Sequence, residues 1–278
     1  MERRMGMTLD KGVSVESNKH RSILPHFLDF NDFCPATGGT ETLDGNVEKA
    51  VFVDSSGARY FVKRYHSLLQ NRDAVLEFLG QCMAMRAGFE AAQTFLFENM
   101  PHCMASRDFL RKGERILTLR SLKLTSQEPL GIVKCFRQWS QDPALGVKIL
   151  LFDALLQNLG RHTGNLALIC NAEGEILRSA PVFDTVAFDN TRLIEAVKNK
   201  KSRWLQMGTS SGLELEDLGN ALKQVAPDFD FKLTLVTQQA AILEVLQVAL
   251  EECLISLQEF EFMLILLEHS FSALAKST

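Results

Sequence analysis

Asn158-Leu159-Gly160-Arg161-His162-Thr163-Gly164-Asn165, followed further on by Pro181-Val182-Phe183-Asp184, is the stretch on which the reading of this chain turns. It comes after an apolar run ending near Gln157, so it reads as a loop leaving a buried helix. Ala167 to Cys170 and Glu175 to Leu177, around Asn171 to Gly174, have the pattern of a hairpin between its two parts. Asn165 and Asp184 flank that hairpin as an amide and a carboxylate, both oxygen donors of the sort hard cations take.

The order is that of a protein-kinase catalytic loop. Such a loop needs an Asp to accept the proton of the substrate hydroxyl, an Asn a few residues later for Mg²⁺, and a second Asp beyond a hairpin for the other metal contact. Asn165 and Asp184 fit the two metal positions, and Gly160 stands where the base belongs.

The upstream half tests that reading independently. A kinase N-lobe supplies a loop over the phosphates, a lysine on a strand and a glutamate on the next helix. Ala50 to Val53 and Arg59 to Lys63 read as two strands around a Ser-Gly turn, with Lys63 as the phosphate-contacting candidate. The pattern predicts a helix from about Asp73 to Arg86, stopped by Gly88, with Glu77 on its first turns to pair with Lys63. Before the strands, Pro35-Ala36-Thr37-Gly38-Gly39-Thr40 is a small-residue loop able to set backbone N–H groups, at Gly38, Gly39 and Thr40, against phosphate oxygens. No Gly-Lys-Ser/Thr follows, so it is not a Walker A loop. Cys103 to Phe109 reads as a strand leading through Arg111 to Glu114 into a second strand, Arg115 to Leu119, a placement that suits an adenine-contacting hinge at Arg107 and Asp108.

With these residues in place, the chain resembles the HipA-like family of Ser/Thr protein kinases, whose loop runs Asn-x-Asp-x-His-x-x-Asn before a Pro-x-Tyr/Phe-Asp strand. Asn158, His162, Asn165, Pro181, Phe183 and Asp184 match that pattern, Gly160 replaces the catalytic Asp, and Arg107-Asp108-Phe109 is a loose match to a family stretch at the hinge. The resemblance covers residues 33 to 190 by motif and the remainder by class. It implies an α+β, two-lobed kinase-like fold with a β-rich N-lobe and a mainly helical C-lobe. It also implies ATP and Mg²⁺ as cofactors, a protein Ser/Thr as phosphate acceptor, and a protein substrate or an antitoxin or regulatory protein as partner. Larger members carry an extra N-terminal subdomain, which a phosphate loop beginning near residue 35 leaves no room for here. Members can autophosphorylate in the phosphate loop, which makes Thr37 and Thr40 candidates by location.

Each residue has an ordinary reading when taken singly: Lys63 a solvated strand-end lysine, Glu77 an exposed helix acid, Gly38-Gly39 a turn. Order and spacing weigh against those readings. His162 reads as a brace of the loop backbone rather than a base, and Asp153 lies too far back along the helix to replace the missing Asp. Loss of the base leaves nucleotide binding possible but lowers transfer, since general acid–base help is worth ~10²–10⁴-fold. A natural pseudokinase scaffold and a kinase whose base has been replaced both fit, and a helical interaction protein sharing only a short kinase-like stretch is the third reading.

Composition bounds the rest. The 278 residues and 46% apolar content suffice for two lobes around a cleft, apportioned as a mobile segment 1–22, an N-lobe 23–120 and a C-lobe 121–278. Six scattered cysteines without Cys-x-x-Cys spacing point to free thiols in a reducing cytoplasm and away from a zinc site. No apolar h-region follows Met1 and no run of about 18 unbroken apolar residues occurs, so neither a signal peptide nor a membrane span is expected. A net charge of −4 gives no basis for nucleic-acid binding. Helices are expected at Leu193 to Lys198, Leu215 to Val225, about Phe231 to Leu250 and Leu254 to Ala275.

Overall fold

The structure, a computed structural model, describes residue 24 and residues 27–36, 47–65, 71–122, 129–158, 161–188, 204–206 and 212–278. Its first half is built on β2 (Val47–Asp54) and β3 (Arg59–Tyr65), runs of β-branched and aromatic residues joined by a turn. Asp54 makes that turn by accepting the N–H groups of Ser56 and Ala58, both at 2.9 Å, while Gly57 takes the left-handed φ of +82°. β1 (Phe33–Pro35), β4 (Thr94–Leu96) and β5 (Cys103–Arg107) complete an antiparallel five-stranded sheet in the order β1-β2-β3-β5-β4.

Alternation along β3 sends Tyr60 and Val62 to one face and Phe61, Lys63 and Tyr65 to the other. The first face closes over its own aromatic core, in which Phe33 meets Tyr60 and Phe97 edge-on at 5.0 and 5.3 Å. The second face receives α1 (Asn71–Arg86). Ala74, Leu76, Phe78, Leu79, Cys82 and Met83 of this helix are all buried, so it is apolar around most of its circumference and has to be covered on several sides.

The cover comes from the helical half: α2 (Pro129–Trp139), α3 (Leu145–Leu155), α4 (Leu215–Val225), α5 (Phe231–Glu251) and α6 (Leu257–Ser277). Residues of α1 share one continuous core with Leu150, Phe152, Ile242, Leu246 and Leu267. Polar clamps reinforce the join, with Arg86 forking onto Glu244 through two 2.6 Å hydrogen bonds and Arg72 donating to the Leu254 carbonyl at 2.8 Å. Helix α5 has the length and hydropathy of a membrane span, but it buries Leu235, Ile242, Val245 and Leu246 and packs against α1, α3 and α6.

A second, three-stranded antiparallel sheet consists of β6 (Arg115–Thr118), β7 (Ala167–Cys170) and β8 (Ile176–Ser179), with α2 and α3 falling between β6 and β7 in the chain. β6 pairs with β7, so the crossing from the first sheet to the second falls between Arg107 and Arg115. A small pair, β9 (Trp204–Gln206) and β10 (Gly212–Glu214), precedes α4. The architecture is the expected α+β one, an antiparallel N-terminal sheet and a helical C-terminal part. All six cysteines are free. The segment expected as a helix from Leu193 to Lys198 lies outside the described residues.

Candidate active site

Lys63, Glu77 and Asp184 come from a strand, a helix and a loop far apart in sequence, and they meet. The Lys63 ammonium donates to Glu77 Oε1 at 2.5 Å and also to Asp184 Oδ1. Two residues along the same face of β3, Tyr65 donates its hydroxyl to the other Glu77 oxygen, Oε2, at 2.6 Å. Both oxygens of a buried carboxylate are thereby satisfied, the condition for keeping it in the interior. Opposite Lys63 in the β2–β3 register stands Lys49, whose ammonium lies 3.9 Å from Asp184 Oδ2.

The charges of this cluster shift one another. Burial disfavours the Lys63 ammonium, but the Glu77 and Asp184 carboxylates outweigh it and hold Lys63 above its usual range. Burial dominates at Glu77 and lifts its carboxyl, with Lys63 opposing. At Asp184 burial also pushes upward, yet Lys63 and Lys49 prevail and the carboxyl is held below the ordinary range. The Tyr65 hydroxyl is raised by burial and by the Glu77 charge, so it remains a donor.

Asp184 sits in the left-handed region, at φ +53°, a conformation that a non-glycine residue keeps only when its surroundings enforce it. Helix α1 supplies the enforcement through a face spaced i, i+3, i+4 from Glu77. Gln81, with its amide turned to satisfy every neighbour, accepts the Asp184 and Thr185 N–H groups at 2.9 and 3.0 Å and donates to the Val182 carbonyl at 3.0 Å. Gly80 lies against the Thr185 carbonyl with no room for a side chain between them. Before this, Val182 bonds the segment after α1 in both directions, N–H to Glu90 O at 2.7 Å and O from Ala92 N–H at 2.8 Å.

The loop carrying His162 and Asn165 is anchored by Arg161, the largest fully buried side chain among the described residues. Its guanidinium meets both oxygens of buried Asp153 at 2.9 and 3.1 Å. It also donates to the carbonyls of Asn165 (3.2 Å) and Phe183 (2.7 Å) and to the Thr185 hydroxyl (2.7 Å). One side chain thus ties the backbone of the Asn165 loop to that of the Asp184 segment. Asn158 joins the group by donating to Asp153 at 2.8 Å, which gives Asp153 an internal anchoring role. His162 Nδ1 accepts the Gly164 N–H at 3.0 Å and caps the short turn Thr163–Asn165. Burial and the nearby Arg120 keep the imidazole below its usual pKa and hence neutral.

Arg107 ends β5 and Asp108 begins the link between the two sheets. The Asp108 carboxylate is engaged locally, accepting the Leu110 N–H at 2.9 Å and lying 3.7 Å from Arg59, and the Arg107 side chain is exposed. Behind the link, Phe109 and Phe183 meet at 5.9 Å with their planes tilted by 35°, packed with Ala167, Ile169 and Ala180 into an apolar floor between the link and the segment leading to Asp184. Gly160 and the loop residues Gly38, Gly39 and Thr40 lie outside the described residues, as do Asp189 and Asn190.

Five contributors lie outside the motif. Tyr65 was detectable as the residue two positions beyond Lys63 on the same strand face, and Gln81 and Gly80 as the i+4 and i+3 neighbours of Glu77. Lys49 required the strand register, and the several bonds of Arg161 required the tertiary contacts.

No protein-family model and no curated protein matches the chain. Solved structures do. The proinflammatory kinase CtkA of Helicobacter pylori superposes with a TM-score of 0.59 at 14% identity, over 82% of this chain and 94% of that one. HipA, in the Shewanella oneidensis MR-1 toxin–antitoxin complex with HipB and operator DNA, gives 0.56 at 12% identity, over 90% of this chain and 73% of that one. At these identities the similarity is one of fold, and the fold is that of the protein kinases.

Proposed function

We propose that the chain binds Mg-ATP between its two halves, and that its ancestral chemistry is transfer of the γ-phosphate to a protein Ser or Thr. The observation that carries this reading is the convergence of Lys63, Glu77 and Asp184, because that lysine–glutamate pair and that aspartate are the parts a kinase must bring together. The donor set suits the nucleotide. Lys63 and Lys49 are cations for phosphate oxygens, Asp184 and the half-buried Asn165 offer oxygens to Mg²⁺, and the floor around Phe109 and Phe183 is apolar, as a purine face requires. When bound, the divalent ion supplies charge neutralisation on the phosphate chain. Glu77 and Tyr65 keep Lys63 aimed, Gln81 and Arg161 keep Asp184 and Asn165 in register, and neutral His162 holds the loop turn.

Gly160 gives this proposal its limit and favours a second reading. With no carboxylate to take the proton from an acceptor hydroxyl, the chain as written is a weak transferase at best. A nucleotide-binding scaffold for a partner protein uses every other part of the site and needs no base. Titration calorimetry with ATP and Mg²⁺, repeated with the metal chelated, tests the shared premise: saturable, metal-dependent heat is expected, and its absence in both conditions overturns both readings.

A further inference from the structure

Asp184 has an ammonium at each of its carboxylate oxygens: Lys63 donates to Oδ1, and Lys49 Nζ stands 3.9 Å from Oδ2. The two lysines come from directly opposed positions of β2 and β3, and like charges facing each other across a strand pair are destabilising. Asp184 is the anion that lies against both. On the other side of Lys63 the opposed residue is the fully buried Met104 of β5, so the positive charge of Lys63 extends across the sheet toward β2 and not toward β5.

The backbone around Asp184 is fixed, so the carboxylate cannot leave the two cations by a main-chain movement. Gln81 accepts the Asp184 and Thr185 N–H groups at 2.9 and 3.0 Å, and Arg161 holds the Phe183 carbonyl at 2.7 Å. A divalent ion that takes an oxygen of Asp184 therefore has to share it with an ammonium or displace one. Lys63 is the harder to displace, because Glu77 holds it at 2.5 Å and its side chain is 12% exposed. The Lys49 side chain is 24% exposed, and its ion pair is the longer one to Asp184. Oδ2 is thus the oxygen at which a metal ion and the protein's own cation compete, and the competitor is Lys49.

We propose that Lys49 is a resident cation of the nucleotide site, covering Asp184 Oδ2 in place of one divalent ion, so that a nucleoside triphosphate binds with only partial dependence on Mg²⁺. The inference rests on the nucleotide-binding reading above and assigns its metal requirement to a residue. An ammonium at Oδ2 repels a divalent ion at the same carboxylate and attracts phosphate oxygens when that ion is absent. Removing its charge has two effects that act in the same direction on the metal dependence: ATP binding without metal weakens, and the gain from adding Mg²⁺ grows.

The test is titration calorimetry of the full chain with ATP, in Mg²⁺ and in chelator, for the parent, Lys49→Met and Lys49→Arg. The quantity read is the ratio of the two dissociation constants in each protein. Chelation is expected to weaken ATP binding about tenfold or less in the parent and about a hundredfold or more in Lys49→Met. Lys49→Arg keeps the charge and should keep the parent's ratio. An equal ratio in the parent and Lys49→Met overturns the proposal and leaves Mg-ATP binding standing. So does a loss of about a hundredfold or more on chelation in the parent itself. No saturable heat from the parent in either condition overturns the nucleotide-binding reading and this inference with it. Because the parent's ratio is measured on the unaltered protein, a folding defect in a variant cannot rescue the proposal.

Discussion

A Cβ placed on Gly80 would stand 2.2 Å from the carbonyl oxygen of Thr185, so the helix carrying Glu77 and the loop carrying Asp184 are in backbone contact. Gly80→Ala adds helix propensity worth about 1 kcal/mol. The obstacle is main chain, however, and overpacking of this sort costs about 1–3 kcal/mol or more. The expected result is a lower urea midpoint at unchanged slope, together with weaker nucleotide binding as Asp184 is displaced. Wild-type values for both would show that the two segments separate freely.

Tyr65→Phe removes the donor to Glu77 Oε2 and keeps the ring. A buried carboxylate oxygen left without its partner costs about 1–3 kcal/mol, measurable by chemical denaturation. Nucleotide affinity should fall too, because Glu77 then holds Lys63 from one side only.

Arg161→Lys keeps the charge and loses the fork that spans Asp153, Asn165, Phe183 and Thr185. Breaking a fully buried ion pair of this kind costs ~3–5 kcal/mol when one partner is removed, and the lysine variant should recover only part of that. By unfolding midpoint, Arg161→Lys against the parent measures the part carried by the fork geometry, and Arg161→Met against Arg161→Lys the part carried by charge.

Stability should fall at both extremes of pH. Asp184 is held below its ordinary 3.8, so its contribution is complete above that value and is lost as pH drops through the lowered one. Lys63 is held above 10.5, so its contribution is complete below that value and is lost as pH rises through the higher one. Glu77, raised above 4.5 by burial, adds the opposite slope as it ionises and offsets part of the gain. Unfolding free energy measured against pH should therefore lose acid-side steepness in Asp184→Asn, and an unchanged acid limb would remove Asp184 from the network.

Gly160→Asp restores the carboxylate of the loop pattern. Incorporation of labelled γ-phosphate into the chain itself or into a protein substrate should rise by ~10²–10⁴-fold over the parent. No rise, with Mg-ATP binding intact, favours the scaffold reading over a kinase that has lost its base.

The sequence by itself determined the kinase-like order of parts. A lysine on a strand, a glutamate on the following helix, an Asn-x-x-x-His-x-x-Asn loop and an aspartate after a hairpin are local patterns, and local patterns follow from periodicity and turn chemistry. It also located α4 at Leu215–Val225 and nearly bounded α1 and α5, whose apolar spacing is regular. Tertiary structure alone decided what holds those parts in place. That Lys49 faces Lys63 depends on strand register, that β6 pairs with β7 depends on which sheet offers it an edge, and that Arg161 can be fully buried depends on five acceptor atoms from four residues. Register, edge pairing and burial of a charge are set by contacts between segments distant in sequence, and such contacts leave no period within any one segment.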